Sequence, residues 1–365
     1  MKKMLLGAAM LCVALTGCEN EDFTAANQSQ VMRFDAPAMM KTRVNVQGEI
    51  IGTLYDARED FKVYSRLYKG DFAGWEATGV SDYFLAEGDV AKNQGSESRY
   101  WYTTNVYYWP EIDYNLAFAA YSPAVLGAAA NGATISHTAA GLQIDNFVTE
   151  GNANAQYDLM YSDRVVDRNK NNNGSSAVPL VFHHALSSIV FSTEKEDESV
   201  NYEITAVNLH GYFIQEADFN QNIDENVDKT TGAAKWENPA EAKEANFAPG
   251  ISSTGKVDVT TVPTQFTQKE SALLLIPQTV PAEAYVTVTY NKITNPGVDG
   301  LEKVMENQAT IKLTDFAQEG GTKITEWEMG KRYIYRIAFG QNKRIYFEPT
   351  TTDWVTVPTL IYTIQ

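Results

Sequence analysis

The stretch AYVTVTY, residues 284–290, sets Tyr285, Thr287 and Thr289 in strict alternation with Val286, Val288 and Tyr290. Side chains alternate across a β-strand, so such a segment makes a sheet element with two distinct faces. The same kind of reading extends outward to FKVYSRLY (61–68), IVFSTEK (189–195), EITAVNLHGYF (203–213), ATIKLTDF (309–316) and YIYRIAF (333–339). These runs are rich in β-branched and aromatic residues and are bounded by Gly, Asn, Asp and Pro, which is the signature of strands separated by turns. No window carries a long 3.6-residue apolar period. AVLGAAANGA (124–133) is alanine-rich, but Gly127 and Gly132 interrupt it, so at most a turn of helix is expected there. Many short strands with turn signals between them predict an all-β sandwich architecture.

The N-terminus has a different composition. MKKMLLGAAMLCVAL places Lys2 and Lys3 before an apolar run from Met4 to Leu15, the length of a secretory h-region. It is too short to span a bilayer, which takes about 20 apolar residues. The Leu15-Thr16-Gly17-Cys18 pattern that follows resembles a bacterial lipobox. That resemblance implies a signal peptide over residues 1–17 and acylation of Cys18, which would anchor the chain in the outer membrane. Several acyl chains on one cysteine hold stably where a single chain holds only marginally. Cys12 would leave with the signal, so the remaining chain would have no partner for a disulfide and no cysteine-based metal site.

Charge excludes further classes. The chain of 365 residues carries a formal net charge of −17, and loss of Lys2 and Lys3 would make it more acidic. Nucleic acids and anionic membrane surfaces are polyanions, so neither is an expected partner. Glu19, Glu21 and Asp22, directly after Cys18, resemble an acidic surface-export signal of Bacteroidetes lipoproteins. A solvated tether would look the same.

Few residues offer chemistry. The four histidines (His137, His183, His184 and His210) follow no metal-ligand spacing, and the adjacent pair must point to opposite faces of any strand. Asp167-x-Asn169-x-Asn171 begins like a calcium loop, but Asn172 stands where its glycine belongs and Val178 where its bidentate glutamate belongs. No nucleophile elbow, phosphate-binding loop or dinucleotide fingerprint is present. The expectation is therefore no enzyme, no catalytic residues, no metal and no cofactor. RYWYTTNVYYWP (99–110) is the densest aromatic stretch, with Trp101, Thr103, Asn105, Tyr107 and Trp109 sharing one parity. Two roles compete for it: a buried core strand, or an exposed platform on which sugar rings stack.

The polar segment DRNKNNNGSSAVP (167–179) is the expected boundary between two domains. A second polar stretch, from Asn220 to about Thr264, reads as an elaborated loop within the second domain.

Four blocks then resemble one family. YYWPEIDYNLAFAAYSP (107–123), VPLVFHHALSSIVF (178–191), LLLIPQT (273–279) and WEMGKRYIYRIAF (327–339), the last followed by IYFEPTTTDW, are similar in content and order to blocks of the Bacteroidetes fimbrillins, major or minor fimbrial subunits made as lipoprotein precursors. Residues 44–98 carry the weakest likeness. The resemblance implies two transthyretin-like β-sandwich domains in tandem, at 44–168 and 177–365, after a tether and removable N-terminal strand at 18–43.

It also implies other fimbrial subunits as partners, in a homo- or hetero-polymer, and a trypsin-like, arginine-directed maturation protease. That protease would release the lipid anchor and first strand, and the vacated groove would accept a strand from another subunit. QVMRF (30–34) is the candidate removable strand, and Arg43, within APAMMKTRV (36–44), the candidate cleavage site. In the C-terminal VTVPTLIYTIQ (355–365), Leu360, Tyr362 and Ile364 share one parity and are the candidate donor residues. A glycan-binding surface lipoprotein and a permanently anchored fimbrial base subunit are the competing readings, and both require a mature protein that keeps Cys18.

Overall fold

The computed structural model of the chain describes residues 31–36, 60–78, 82–93, 100–110, 113–127, 132–138, 141–151, 155–173, 176–196, 198, 200–221, 234–251, 254–265, 272–316, 323–340, 355–356 and 360–364. The chain is nearly all-β. In order, its strands are β1 (Phe34–Asp35), β2 (Phe61–Lys69), β3 (Asp82–Asn93), β4 (Tyr100–Thr103), β5 (Tyr114–Ser122), β6 (Thr134–Thr138), β7 (Gly141–Val148), β8 (Met160–Ser162), β9 (Val165–Arg168), β10 (Val178–Pro179), β11 (Phe182–His184), β12 (Ser187–Lys195) and β13 (Asn201–Phe213). They continue with β14 (Glu216–Gln221), β15 (Ala234–Glu237), β16 (Lys243–Phe247), β17 (Val257–Asp258), β18 (Thr264–Gln265), β19 (Leu273–Leu275), β20 (Gln278–Thr279), β21 (Tyr285–Thr294), β22 (Lys303–Lys312), β23 (Glu326–Trp327), β24 (Lys331–Phe339), β25 (Val355–Thr356) and β26 (Leu360–Ile364). Two short helices, α1 (Phe72–Thr78) and α2 (Lys170–Asn173), and a 3-10 turn at Leu313–Asp315 complete the described elements.

The first sheet runs β10-β1-β4-β3-β2-β5-β8-β11, with β9 also on β5. Its two end strands, β10 and β11, are separated in the chain by only Leu180 and Val181. The sheet therefore curls until its ends nearly meet, and one apolar cluster lies within the curl: Met32, Phe34, Phe61, Trp101, Phe118, Val178 and Phe182 are among its members. Strand β5 is buried on both faces. Leu116, Phe118 and Ala120 enter this cluster, while Ala119 and Tyr121 enter a second one beneath a four-stranded sheet, β15-β14-β7-β6.

The other layers pack as a sandwich. A six-stranded sheet (β18-β12-β24-β25, with β19 on β12 and β26 on β24) faces a five-stranded one (β16-β13-β21-β22, with β17 on β13). Phe191, Tyr333 and Tyr335 from the first meet Leu209, Val286 and Val288 from the second in the largest core. A two-stranded ribbon, β20-β23, adds Trp327 to it. From Tyr285 onward AYVTVTY lies in β21, as its alternation requires, with Val286 and Val288 buried.

Two polar stretches hold more structure than their composition suggests. Residues 167–179 contain the end of β9, helix α2 and β10, and Asn169 caps the helix by accepting hydrogen bonds from the amides of Asn171 (2.9 Å) and Asn172 (3.1 Å). Residues 220–264, read as a loop, contain β15, β16 and β17 and part of β18. Trp236 explains much of this. Its ring packs on Phe147 and Phe219, and its Nε1 donates to the Ala185 carbonyl at 2.7 Å, so one aromatic ties β15 into a core that its polar neighbours do not announce. Strands β14 and β15, which follow residue 179, thus extend a sheet begun by β6 and β7, which precede it.

Candidate functional site

The segment Val31–Ala36 obeys the strand period. Met32, Phe34 and Ala36 are buried, while Val31, Arg33 and Asp35 are only partly so. Strand β1 is the stave between β4 and β10. It runs antiparallel to β4, with Phe34 opposite Trp101 and Asp35 opposite Tyr100, and parallel to β10, with Phe34 opposite Val178 and Asp35 opposite Pro179.

Main-chain hydrogen bonds clamp it from both sides. The Met32 amide donates to the Tyr107 carbonyl at 2.8 Å. On the other edge the amides of Val178 and Leu180 donate to the carbonyls of Arg33 and Asp35, each at 2.8 Å. Val31 forms a further antiparallel bridge with Tyr108. Pro179 has no amide to give, and it sits where the ladder skips it, between those two donors. The Arg33 guanidinium lies over the Tyr100 ring, 4.5 Å from its centroid, on the outer side of the stave.

The inner side is an aromatic slot. Phe34 meets Phe61 edge-on at 6.1 Å and Phe118 at 5.8 Å between ring centroids, and Phe61 in turn packs on Trp101 and Phe182. Burial of Phe34 and Met32 contributes about 1.5–3 kcal/mol each. A strand held by a ladder on two edges and by alternate side chains in pockets can be replaced by another of the same spacing, because main-chain bonds are indifferent to sequence.

The structure places the sequence-derived sites unevenly. Cys18 and Arg43 lie outside the described residues. The backbone of Leu360–Ile364 forms β26, parallel to β24 in the register Tyr335↔Leu360, Ile337↔Tyr362 and Phe339↔Ile364. The tail therefore sits on an edge of its own chain's sheet, apart from β1. Of the aromatic stretch 99–110, Trp101 and Trp109 are buried while Val106 and Tyr108 are exposed, so the shared parity is that of the core. Sequence reasoning did not find that β10 forms one wall of the slot. Val178 and Pro179 fall in the polar segment expected to separate two domains, and the alternation of Val178 with Leu180 is too short a signal to name a partner strand.

The histidines have structural settings. His183 is exposed and bonded to Asp163 at 2.8 Å, and His184 is buried on Asp158 at 3.0 Å, as opposite faces of β11 demand. His137 is buried between the Tyr64 and Trp75 rings, and burial pushes its pKa down to about 3, with Arg66 and Arg164 adding in the same sense. Among the described residues no group of three or more His, Cys, Asp or Glu is placed to hold a metal ion. No helix among them is long and apolar enough to cross a membrane.

The described residues thus form a curled, layered all-β structure in which the short strand β1 is held on both edges by main-chain hydrogen bonds. A family profile described as fimbrillin-like matches residues 55–354, and the chain belongs to that family. The family is one of non-enzymatic structural proteins, and its role is fimbrial. Among solved structures the chain is similar to a fimbrial protein of Bacteroides vulgatus, with 16% identity, a TM-score of 0.59, and 89% of this chain and 100% of that one covered. A candidate cell adhesion protein of Bacteroides uniformis aligns at 15% identity and a TM-score of 0.48, over 85% of this chain and 94% of that one. No curated protein matches the chain in sequence.

Proposed function

We propose that the chain is a stalk or tip subunit of a cell-surface fimbria that serves adhesion, exported as a lipoprotein on Cys18 and matured by arginine-directed proteolysis near Arg43. Its subunits then join by exchange of the strand that fills the slot of residues 31–36. The observation that carries this reading is the setting of Phe34. It is fully buried, in a two-residue strand bonded on both edges, on a segment that precedes the rest of the sheet in the chain. Removing that segment would leave an aromatic slot and two unpaired strand edges, which is a template for another extended chain.

Lipidation is tested by Cys18→Ala, which should abolish uptake of labelled fatty acid; unchanged labelling refutes it. Assembly is tested by cutting the full chain with a trypsin-like protease and incubating the product. Multimers that resist SDS without boiling should form only after the N-terminal segment is gone. Ladders from uncut protein, or none from cut protein, overturn strand exchange. Surface protein whose intact mass still includes acylated Cys18 would instead favour the anchored readings.

A further inference from the structure

The outer face of the five-stranded sheet carries a cleft of about 670 Å³ that strand exchange does not use. The ladder explains its composition. Across β16, β13, β21 and β22, the registers put Asn246 beside His210, His210 beside Tyr285, and Tyr285 beside Lys312. The alternate residues, Leu209, Phe247, Val286 and Ile311, face the core. One step along, Tyr212 lies opposite Glu244.

Two features distinguish this cleft from an ordinary solvated face. First, it presents fixed aromatic surface. His210 and Tyr285 stack at 4.7 Å and 17°, and His210 is pinned from its Nε2 by Thr287 Oγ1 at 2.9 Å. Tyr212 stands 61% exposed beside them, a large ring left in water. Second, polar groups on one rim have no internal use: among the described residues, neither Glu244 nor Asn246 takes part in a side-chain hydrogen bond or ion pair. On the opposite rim Lys312 is held by Glu283 at 3.0 Å.

We propose that this cleft binds a neutral pyranose, as a terminal sugar of a glycan. A pyranose has an apolar C–H face, which packs on the electron-rich face of a tyrosine. Its equatorial hydroxyls both donate and accept. A carboxylate such as Glu244 can accept from two neighbouring hydroxyls, and the Asn246 amide can both accept and donate. A phosphate or other anion fits poorly, because Glu244 repels it and the cleft's cation already has a partner. A small cation is the competing occupant, since the carboxylates outnumber the lysine. The inference stands apart from strand exchange, because none of these residues lies near β1 in the ladder.

The test is ligand-observed saturation-transfer NMR on the full chain, with methyl β-D-galactopyranoside, methyl β-D-glucopyranoside, methyl α-D-mannopyranoside and N-acetyl-D-glucosamine, and with tetramethylammonium as the cationic probe. At least one sugar should bind saturably, with a Kd on the order of 1 mM, as suits one ring in an open site. Tyr212→Ala and Glu244→Gln should each weaken it about tenfold or more, with thermal midpoints unchanged because both side chains are exposed. Tyr108→Ala, an exposed tyrosine elsewhere, should leave it unaltered. Failure of all four sugars to saturate, binding that survives both cleft variants, or displacement of the bound sugar by tetramethylammonium would each overturn the proposal.

Discussion

Phe34 and Phe118 meet edge to face, 5.8 Å between centroids and 75° between ring planes, although one belongs to the short strand β1 and the other to β5, which is buried from Leu116 to Ser122. Neither ring has any exposure. This pair joins the candidate exchangeable segment to the part of the molecule that does not exchange.

Phe34→Ala should therefore cost about 3–5 kcal/mol of stability, the usual range for truncating a buried phenylalanine. Arg33→Ala removes a guanidinium from the face of the half-buried Tyr100 ring, on the outer side of the strand, and should cost less than Phe34→Ala. Urea unfolding of the two variants checks this. Equal, small losses would mean that β1 is not part of the cooperative core, and the slot would lose its claim to hold a strand.

Limited trypsin digestion should release a stable product beginning at Val44. Proteases need a locally extended and unclamped chain, and Arg33, the nearest arginine upstream, sits in a ladder bonded on both edges with its side chain on Tyr100. Cleavage after Arg43 should not by itself expel the strand. The N-terminal fragment should co-elute with the body in gel filtration directly after cutting, and should be released in denaturant or, on incubation, as a strand from another subunit displaces it. Cutting confined to other sites, such as within the polar stretch 220–264, would remove the support for maturation at Arg43.

Stability should fall with acid through His137. Its pKa is about 3 in the folded chain, while an unfolded histidine titrates near 6.5, so below that value the unfolded state binds the extra proton. The slope is then positive in pH: the stabilising effect is full above about 6.5 and is lost as pH falls toward 3, at up to about 1.4 kcal/mol per unit. His210, also lowered by burial, acts in the same direction. The contribution of His137 is therefore read as the difference between the wild type and His137→Leu, by urea unfolding at pH 7, 6 and 5. Parallel slopes for the two proteins would show that His137 does not titrate as a buried group.

Local chemistry was readable where one face of a strand is apolar and the other is not. The period of AYVTVTY, the opposed pair His183 and His184, and the shared parity of Trp101 and Trp109 all follow from alternation and were legible in sequence, though burial of that parity was decided only by the fold. Helix α1 was not, because about two turns with Phe72 and Trp75 against Tyr68 are too short to establish a period. Strands β15 and β16 were masked by charged outward faces, with Trp236 and Phe247 their main apolar anchors. The larger gap concerns partners. That residues 178–184 contribute strands to both ends of the first sheet, or that β14 extends the sheet of β7, depends on which faces meet at long range, and no local period encodes it.

The C-terminal tail supports the last prediction. As β26 it pairs, among the described strands, with β24 alone, so its release breaks one ladder where release of β1 breaks two. Its five residues span about 17 Å at roughly 3.3 Å per residue. Leu360, Tyr362 and Ile364 repeat the spacing of Met32, Phe34 and Ala36. The fit is imperfect in two places. A tyrosine in the Phe34 site brings a hydroxyl that needs a partner, and the Ala36 site must open for a branched side chain, since overpacking costs typically 1–3 kcal/mol. Tyr362→Phe should therefore polymerise at least as well as the wild type. A chain lacking Leu360–Gln365 and cut at Arg43 should stay folded by circular dichroism yet form no SDS-resistant ladder. Ladders that persist without the tail would eliminate it as the donor. Unfolding of the truncated monomer would assign it to the sheet of β24 alone, because an edge strand essential to its own fold cannot also be lent to a neighbour.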